Sequence, residues 1–550
     1  MLNTHGAWVP TDSPRSEPRC GRAAVIEALE CLDRPFSIVA TASGPAVTTG
    51  GRALIGDPAE ELPGALPLLA HVPALTPDQL GDPSFQRTYG VRVGYVGGAM
   101  ANGIASEALV VALARAGALG FFGAAGLSLP RIEAAIEQIK ASVGGLPWGS
   151  NLIHSPADPQ HEQQTVELYL QHGVTTVSAS AYMSLTPPVV QYRVTGLSRG
   201  PDGAVRVRNR LLAKVSRPEV AERFLRPAPA RMLAELVAAG RITTREAELA
   251  AELPMADDLT AEADSGGHTD NRPLPVLLPL LIHLRDRVGA EIGHPHRIRI
   301  GAAGGIGAPE AAAAAFAMGA AYVLTGTIHQ ATVEAGTSDL VREMLASASM
   351  ADVAMAPASD MFEGGVQLQV LKRGTLFPQR ARLLYALYRD HGSLEELPPA
   401  DAEAVQRTVL RASFDEIWAQ CVAFFSERDP TQLARAGADP KHRMALIFRW
   451  YLGRSSRWAI AGDAGRRTDL QIWCGPAIGA FNDWTRDTFL ADPRQRHVDV
   501  VAANLMAGAA FHTRAVGLAA AGVDVGPIRW RPRALAPASP QPPREPHVRS

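Results

Sequence analysis

From about residue 91 the chain alternates short apolar runs with alanine-rich amphipathic stretches, and the alternation repeats eight times. The runs that read as strands are 93–100, 119–125, 148–153, 175–180, a segment within 205–215, 258–262, 297–303 and 321–325. Helical spacing follows at 106–116, 130–142, 160–171, 218–225, 275–288 and 309–318, with one more helix starting near Thr327. Several of these helices open on proline, which costs nothing where the N–H has no intrahelical partner. Eight strand–helix repeats over about 240 residues match an α/β chain closed into a (β/α)8 TIM barrel. A doubly wound open sheet is the rival architecture.

The flanking regions have a different texture. Residues 1–90 are rich in proline and glycine and read as a lead-in of short strands. The barrel region, 91–390, carries an insertion at 228–254, where Met232, Leu233, Leu236, Val237, Ala247, Leu249 and Ala250 recur at helical spacing. A helical hairpin is expected there. Residues 391–525 read as a helical domain. The tail, 526–550, is rich in proline and arginine and is expected to be disordered.

Composition narrows the class. Of 550 residues, 47% are hydrophobic and 20% charged, enough for a sizeable core. The net charge of −2 gives no global field toward nucleic acid or an anionic membrane. Cys20, Cys31, Cys421 and Cys474 form no Cys-x-x-Cys pair, which argues against a zinc site and fits a reducing cytoplasm. His294 and His296 lack the carboxylate or cysteine company a metal site needs. No apolar run is long enough to span a bilayer.

Candidate chemistry lies where predicted strands give way to helices. Gly304 and Gly305 follow the seventh strand, and Gly326 and Thr327 follow the eighth. Backbone N–H groups in such turns can face an anion, and the loops after strands seven and eight are the usual phosphate site of this barrel. Tight turns that need glycine for their own backbone are the plainer reading. Gly97, Gly98, Ala99 and Met100 end the first strand with small residues that let a flat ring approach, or that simply pack strand on helix. Asn151 can donate and accept at a pyrimidine edge, though capping is the commoner role. Lys214 sits in an apolar strand, where a charge is costly unless paired or reaching solvent. Gly266, Gly267 and His268 follow the sixth strand, which puts a titratable ring at the catalytic mouth. Further on, His442, Arg443, Arg449, Arg454 and Arg457 interleave with Phe448, Trp450, Tyr451 and Trp458. An amphipathic helix explains that mixture, and contact with an acidic protein or phosphorylated substrate is the functional alternative.

These motifs occur in the order found in the nitronate monooxygenase and FMN-dependent enoyl-reductase superfamily, which the chain resembles over roughly residues 91–335. Segments around Met100–Ser106, Phe121–Leu127, Ala213–Val220 and Asp439–Ala445 resemble its PfaD-type proteins, trans-acting enoyl reductases of polyunsaturated fatty acid and polyketide synthases. With that branch the likeness extends from about residue 60 to 522. The resemblance implies FMN, NAD(P)H as hydride source, and a 2-enoyl thioester on an acyl carrier protein, and leaves room for a homodimer. It implies that Ala99, Met100 and Gly267 line the flavin and that Asn151 binds its ring. Lys214 would lie near its charged edge, and Gly304, Gly305, Gly326 and Thr327 would hold its phosphate. His268 matches the active-site histidine. The chain departs from the common pattern at Asp264-Ser265 before Gly266, and at Ile328-His329 after Thr327. A nitronate-oxidising flavoprotein and a non-catalytic barrel partner are the alternative functions.

Overall fold

Eight parallel strands close into a barrel. They are β1 (Tyr95–Gly97), β2 (Leu119–Phe122), β3 (Gly149–Ile153), β4 (Thr176–Ser180), β5 (Arg210–Val215), β6 (Asp258–Glu262), β7 (Arg299–Ala303) and β8 (Val323–Thr325). β8 closes the ring on β1 through Val323 opposite Tyr95. The computed structural model describes residues 6–56, 62–154, 158–293 and 298–534. His294 and His296 lie outside the described residues.

The strands are almost wholly buried, which is why they read as continuous apolar runs. Val96, Leu119, Phe121, Leu212, Tyr322 and Leu324 fill the interior. The helix Pro83–Tyr89 adds Phe85 and Tyr89 to the same cluster. Tyr89 donates to Asp258 Oδ2 at 2.5 Å, and Arg299 Nε meets Asp258 Oδ1 at 2.5 Å. Asp258 opens β6 and Arg299 opens β7, so this ion pair sits at the N-terminal end of the barrel, opposite the mouth. Arg299→Met leaves the Asp258 carboxylate buried without its cation and is expected to cost about 3–5 kcal/mol, read as a lower urea midpoint.

Three local details sharpen the pattern. The fifth strand is Arg210–Val215, inside the expected 205–215, and Val205–Arg206 pairs antiparallel with Ser198–Arg199 in a separate hairpin. The helix starting at Thr327 stops at Gln330, and the longer helix Asp339–Ala346 follows it. A helix over Pro187–Val194, which the apolar pattern does not announce, follows β4. The expected hairpin in 228–254 is present as helices Ala230–Ala238 and Thr244–Ala250, with Leu233, Leu236, Leu249 and Ala250 buried.

The N-terminal strands form more than a lead-in. Six of them build one antiparallel sheet centred on Phe36–Thr41 and Leu66–Val72. The long helix Val498–Ala520 ties it to the body, as Arg514 donates to the carbonyls of Leu29, Cys31 and Arg34. Residues 526–534, placed by sequence in the disordered tail, are in part packed. Trp530 is 5% exposed and its ring nitrogen donates to Asn504 Oδ1. Residues 535–550 lie outside the described residues.

Two further pieces reach the mouth of the barrel. Gly267–His268, after β6, joins Gln367–Leu371 and Val353–Pro357 in a three-stranded antiparallel sheet. The helices Phe377–Asp390, Phe414–Arg428 and Pro440–Ala461 pack around a second hydrophobic core.

Candidate functional site

The C-terminal ends of the barrel strands carry the candidate residues. At the end of β1, a Cβ on Gly97 would lie 2.2 Å from Leu113 Cδ1, so that glycine is required by strand–helix packing. Ala99 and Met100 follow, both half-buried. Among the described residues beyond its chain neighbours, a Cβ built on Gly326 meets Met100 Cγ alone, at 4.0 Å. The loops after β1 and β8 therefore meet across an open space.

The glycines after β7 divide by role. Gly304 has φ +89°, and a Cβ there would lie 2.6 Å from the Ala263 carbonyl carbon. It is glycine because the turn is crowded. Gly305 has φ +73° with nothing within 4 Å of its Cβ position, and Gly267 is equally open at φ +81°. Open space in front of a left-handed backbone is what a bound group would need.

The segment Cys474–Ala477 closes over this region. Gly475 N donates to Thr327 Oγ1 at 3.2 Å. Cβ atoms on Gly266 and Gly307 would strike the backbone of Cys474 and Ala477. Ser265 Oγ is buried here without a hydrogen-bond partner among the described residues. An orphan hydroxyl beside open glycine turns suits a phosphate oxygen, so the residues present fit an anionic cofactor group. Sequence reasoning passes over Ser265, although it stands next to Gly266, Gly267 and His268.

Asn151, on β3, is 6% exposed. Its Nδ2 donates to Ser178 O at 3.1 Å and to Ser180 Oγ at 3.2 Å, both on β4. The donor end is thus committed within the barrel, and its Oδ1 accepts nothing from the described residues. Lys214, on β5, pairs with Glu262 of β6, Nζ to Oε1 at 2.6 Å. Thr260 lies opposite Lys214 in the parallel register, which brings Glu262 within reach. The cost of the lysine in an apolar strand is met by this carboxylate.

His268 Nε2 meets Asp360 Oδ1 at 3.2 Å, and the imidazole is 43% exposed. Desolvation pulls its pKa down, but the hydrogen bond and charge of Asp360, with Glu262 behind them, outweigh it. The net shift is upward, so the ring stays cationic to higher pH. Lys214 opposes the shift, which places Lys214, Glu262, His268 and Asp360 in one electrostatic group. Asp360 is held from the helical region: Arg449 donates from Nε to Ser359 O at 2.9 Å and from Nη1 to Glu363 Oε1 at 3.1 Å.

His329 turns away from this group. It is fully buried, its Nε2 lies 2.7 Å from Tyr95 Oη and 3.0 Å from Thr325 Oγ1, and its Nδ1 has no partner among the described residues. Burial pushes its pKa from 6.5 down to about 3. A histidine in the unfolded chain therefore takes up its proton at higher pH than His329 in the fold. Stability from this residue is complete above pH about 6.5 and is lost as pH falls toward 3. Between about pH 7 and 4.5 the loss is roughly 2–3 kcal/mol. His329→Gln should shrink by that amount the acid-induced fall in unfolding free energy, read from urea titrations at about pH 7 and 4.5.

His442, by contrast, is buried in the helical region against Gln432 and takes no part in the mouth. Among the described residues no group of three or more His, Cys, Asp or Glu can hold a metal ion. No described helix is long and apolar enough to cross a membrane.

Comparison with known proteins places this geometry. The nitronate monooxygenase family model matches residues 92–382, more than half the chain. Residues 391–470 match the inserted helical domain of acyl-carrier-protein S-malonyltransferase. A component of the polyunsaturated fatty acid synthase of Thraustochytrium sp. (strain ATCC 26185 / S-3) is 52% identical over 75% of this chain and 28% of its own length. Polyketide biosynthesis protein PksE of Bacillus subtilis (strain 168) is 46% identical over 78% of this chain and 56% of its own. The chain thus spans little more than half, or less, of these curated relatives. The enoyl reductase domain of MlnA, from the macrolactin biosynthesis cluster of Bacillus amyloliquefaciens, superposes with a TM-score of 0.77 at 39% identity. That match covers 80% of this chain and 99% of the MlnA domain. The chain belongs to the nitronate monooxygenase family, in its PfaD-type branch.

Proposed function

We propose that the chain is an enoyl reductase that acts in trans on 2-enoyl thioesters carried by an acyl carrier protein, with FMN bound at the barrel mouth and NAD(P)H as reductant. The observation that carries this reading is the grouping of Lys214, Glu262, His268 and Asp360 beside the open glycine turns at Gly305 and Gly326. The likeness to the MlnA enoyl reductase domain and to the synthase relatives supports it.

FMN, when bound, would supply hydride to the β-carbon of the unsaturated thioester. The N–H groups of the Gly305 and Gly326 turns, with Ser265 Oγ, would hold its phosphate. Asn151 would offer Oδ1 to the ring edge, and the Lys214 ammonium would favour negative charge nearby. His268, with Nε2 turned to Asp360, keeps Nδ1 free to donate a proton to the α-carbon or a hydrogen bond to the thioester carbonyl.

The deciding experiment incubates the FMN-loaded protein anaerobically with NADPH and a crotonyl-loaded acyl carrier protein. Mass spectrometry should show the butyryl product. Oxygen-dependent turnover of an alkyl nitronate, with no butyryl product, would replace this reading by the nitronate-oxidising one.

A further inference from the structure

The arginine–aromatic face of the helical region has no role in the chemistry above. Trp450, Arg454 and Arg457 follow one another at three- and four-residue steps on the helix Pro440–Ala461, so they share a face. Arg454 and Arg457 are exposed. Arg428, also exposed, ends the helix Phe414–Arg428 with Phe424 one turn before it, 44% exposed. Arg428 lies 5.6 Å from the Phe424 ring, and Arg454 lies 5.9 Å from the Trp450 ring.

These cations lack close carboxylate partners. Arg454 and Arg457 form no ion pair among the described residues. Arg428 reaches only Asp158, at 4.0 Å. Burial, Arg454 and Arg428 all act to lower the pKa of Arg457, so the three guanidinium groups share one neighbourhood and repel one another. A fold gains nothing from holding like charges together; an anion brought among them would relieve the repulsion and be bound by planar donors.

The position of the face says which anion. Asp158 caps the helix after β3, seven residues beyond Asn151, so Arg428 stands at the rim of the mouth. One residue before Trp450, Arg449 grips the loop that carries Asp360. The face is thus tied through Arg428 to the loop after β3, and its helix is tied through Arg449 to the loop that carries Asp360. A thioester delivered on a carrier protein enters on an arm joined to the carrier by a phosphodiester, which must remain outside the barrel while the acyl end is inside.

We infer that Arg428, Arg454 and Arg457, with Phe424 and Trp450, form the docking surface for a carrier protein and bind the phosphodiester of its arm. The inference rests on the carrier-bound substrate proposed above, and its test is a binding measurement that needs no turnover.

The probe is a phosphopantetheine-bearing acyl carrier protein, titrated calorimetrically into the full chain and into Arg454→Glu/Arg457→Glu. Both substituted positions are exposed, and neither belongs to the group of Lys214, Glu262, His268 and Asp360. The dissociation constant should rise roughly tenfold or more in the double variant, and wild-type binding should weaken with added salt. Reduction of crotonyl-N-acetylcysteamine, which has neither carrier nor phosphodiester, should be unchanged. Equal affinity of wild type and variant would overturn the surface. Equal affinity for the carrier without its arm would overturn the phosphodiester assignment, as would equal affinity for a single-stranded oligonucleotide. Wild-type protein that binds the carrier but reduces neither thioester would instead overturn the proposed reaction while leaving the surface standing.

Discussion

His268→Ala is expected to lower kcat for enoyl-thioester reduction by about 10²–10⁴-fold, the usual worth of a positioned acid, with flavin still bound. Asp360→Asn separates the chemical from the structural reading of this histidine. Asp360 holds the His268 pKa above its ordinary value against desolvation. A donor of raised pKa is protonated below that pKa and is lost as pH climbs through it. Removing the Asp360 charge lets desolvation lower the pKa, so the alkaline limb of the rate profile should move to lower pH. Asp360 touches His268 and is therefore a positioning residue; a purely architectural role would reduce activity without moving the limb. Full turnover by His268→Ala with FMN bound would end the assignment, and an unmoved limb in Asp360→Asn would end that of its partner.

The pair also shows where sequence patterns stop. The barrel is legible because parallel strands, buried on both faces, alternate with helices over a repeating length. The seventh and eighth strands lead into the glycine turns at the positions the pattern implies. Asp360 is not legible: it lies 92 residues from His268 and is brought near by a sheet in which Gly267–His268 pairs with Gln367–Leu371. No local periodicity reports a contact of that kind. Glu262 does carry a signal. A lysine in an apolar strand calls for a partner, and the neighbouring strand ends on a carboxylate. The segment 205–215 holds both Val205–Arg206 and β5, and sequence alone does not divide it because a hairpin strand and a barrel strand share the same alternation. The six-stranded N-terminal sheet reads as a lead-in because its strands follow no repeating strand–helix length and some pairings, such as Gly6–Val9 with Leu66–Val72, are distant in sequence.

The turns at Gly304 and Gly305 would look alike to any substitution table, but they should respond in opposite ways. A side chain at Gly304 meets the Ala263 backbone at 2.6 Å, so Gly304→Ala should destabilise the fold itself. A Cβ at Gly305 meets no atom of the described residues within 4 Å beyond its chain neighbours. Aspartate is among the residues that tolerate a left-handed backbone, so Gly305→Asp should fold. Its carboxylate would stand in the open space in front of this turn, where a phosphate is proposed. Like charges set together cost several kcal/mol, and FMN affinity should fall by roughly 100-fold or more. The purified variant should be colourless, with a urea midpoint close to that of wild type measured without flavin. Gly305→Asn, which keeps the shape and drops the charge, should recover part of the affinity. If Gly305→Asp retained stoichiometric flavin absorbance, the anion site would have to be moved away from this turn. The glycine would then be explained, like Gly304, by its backbone alone.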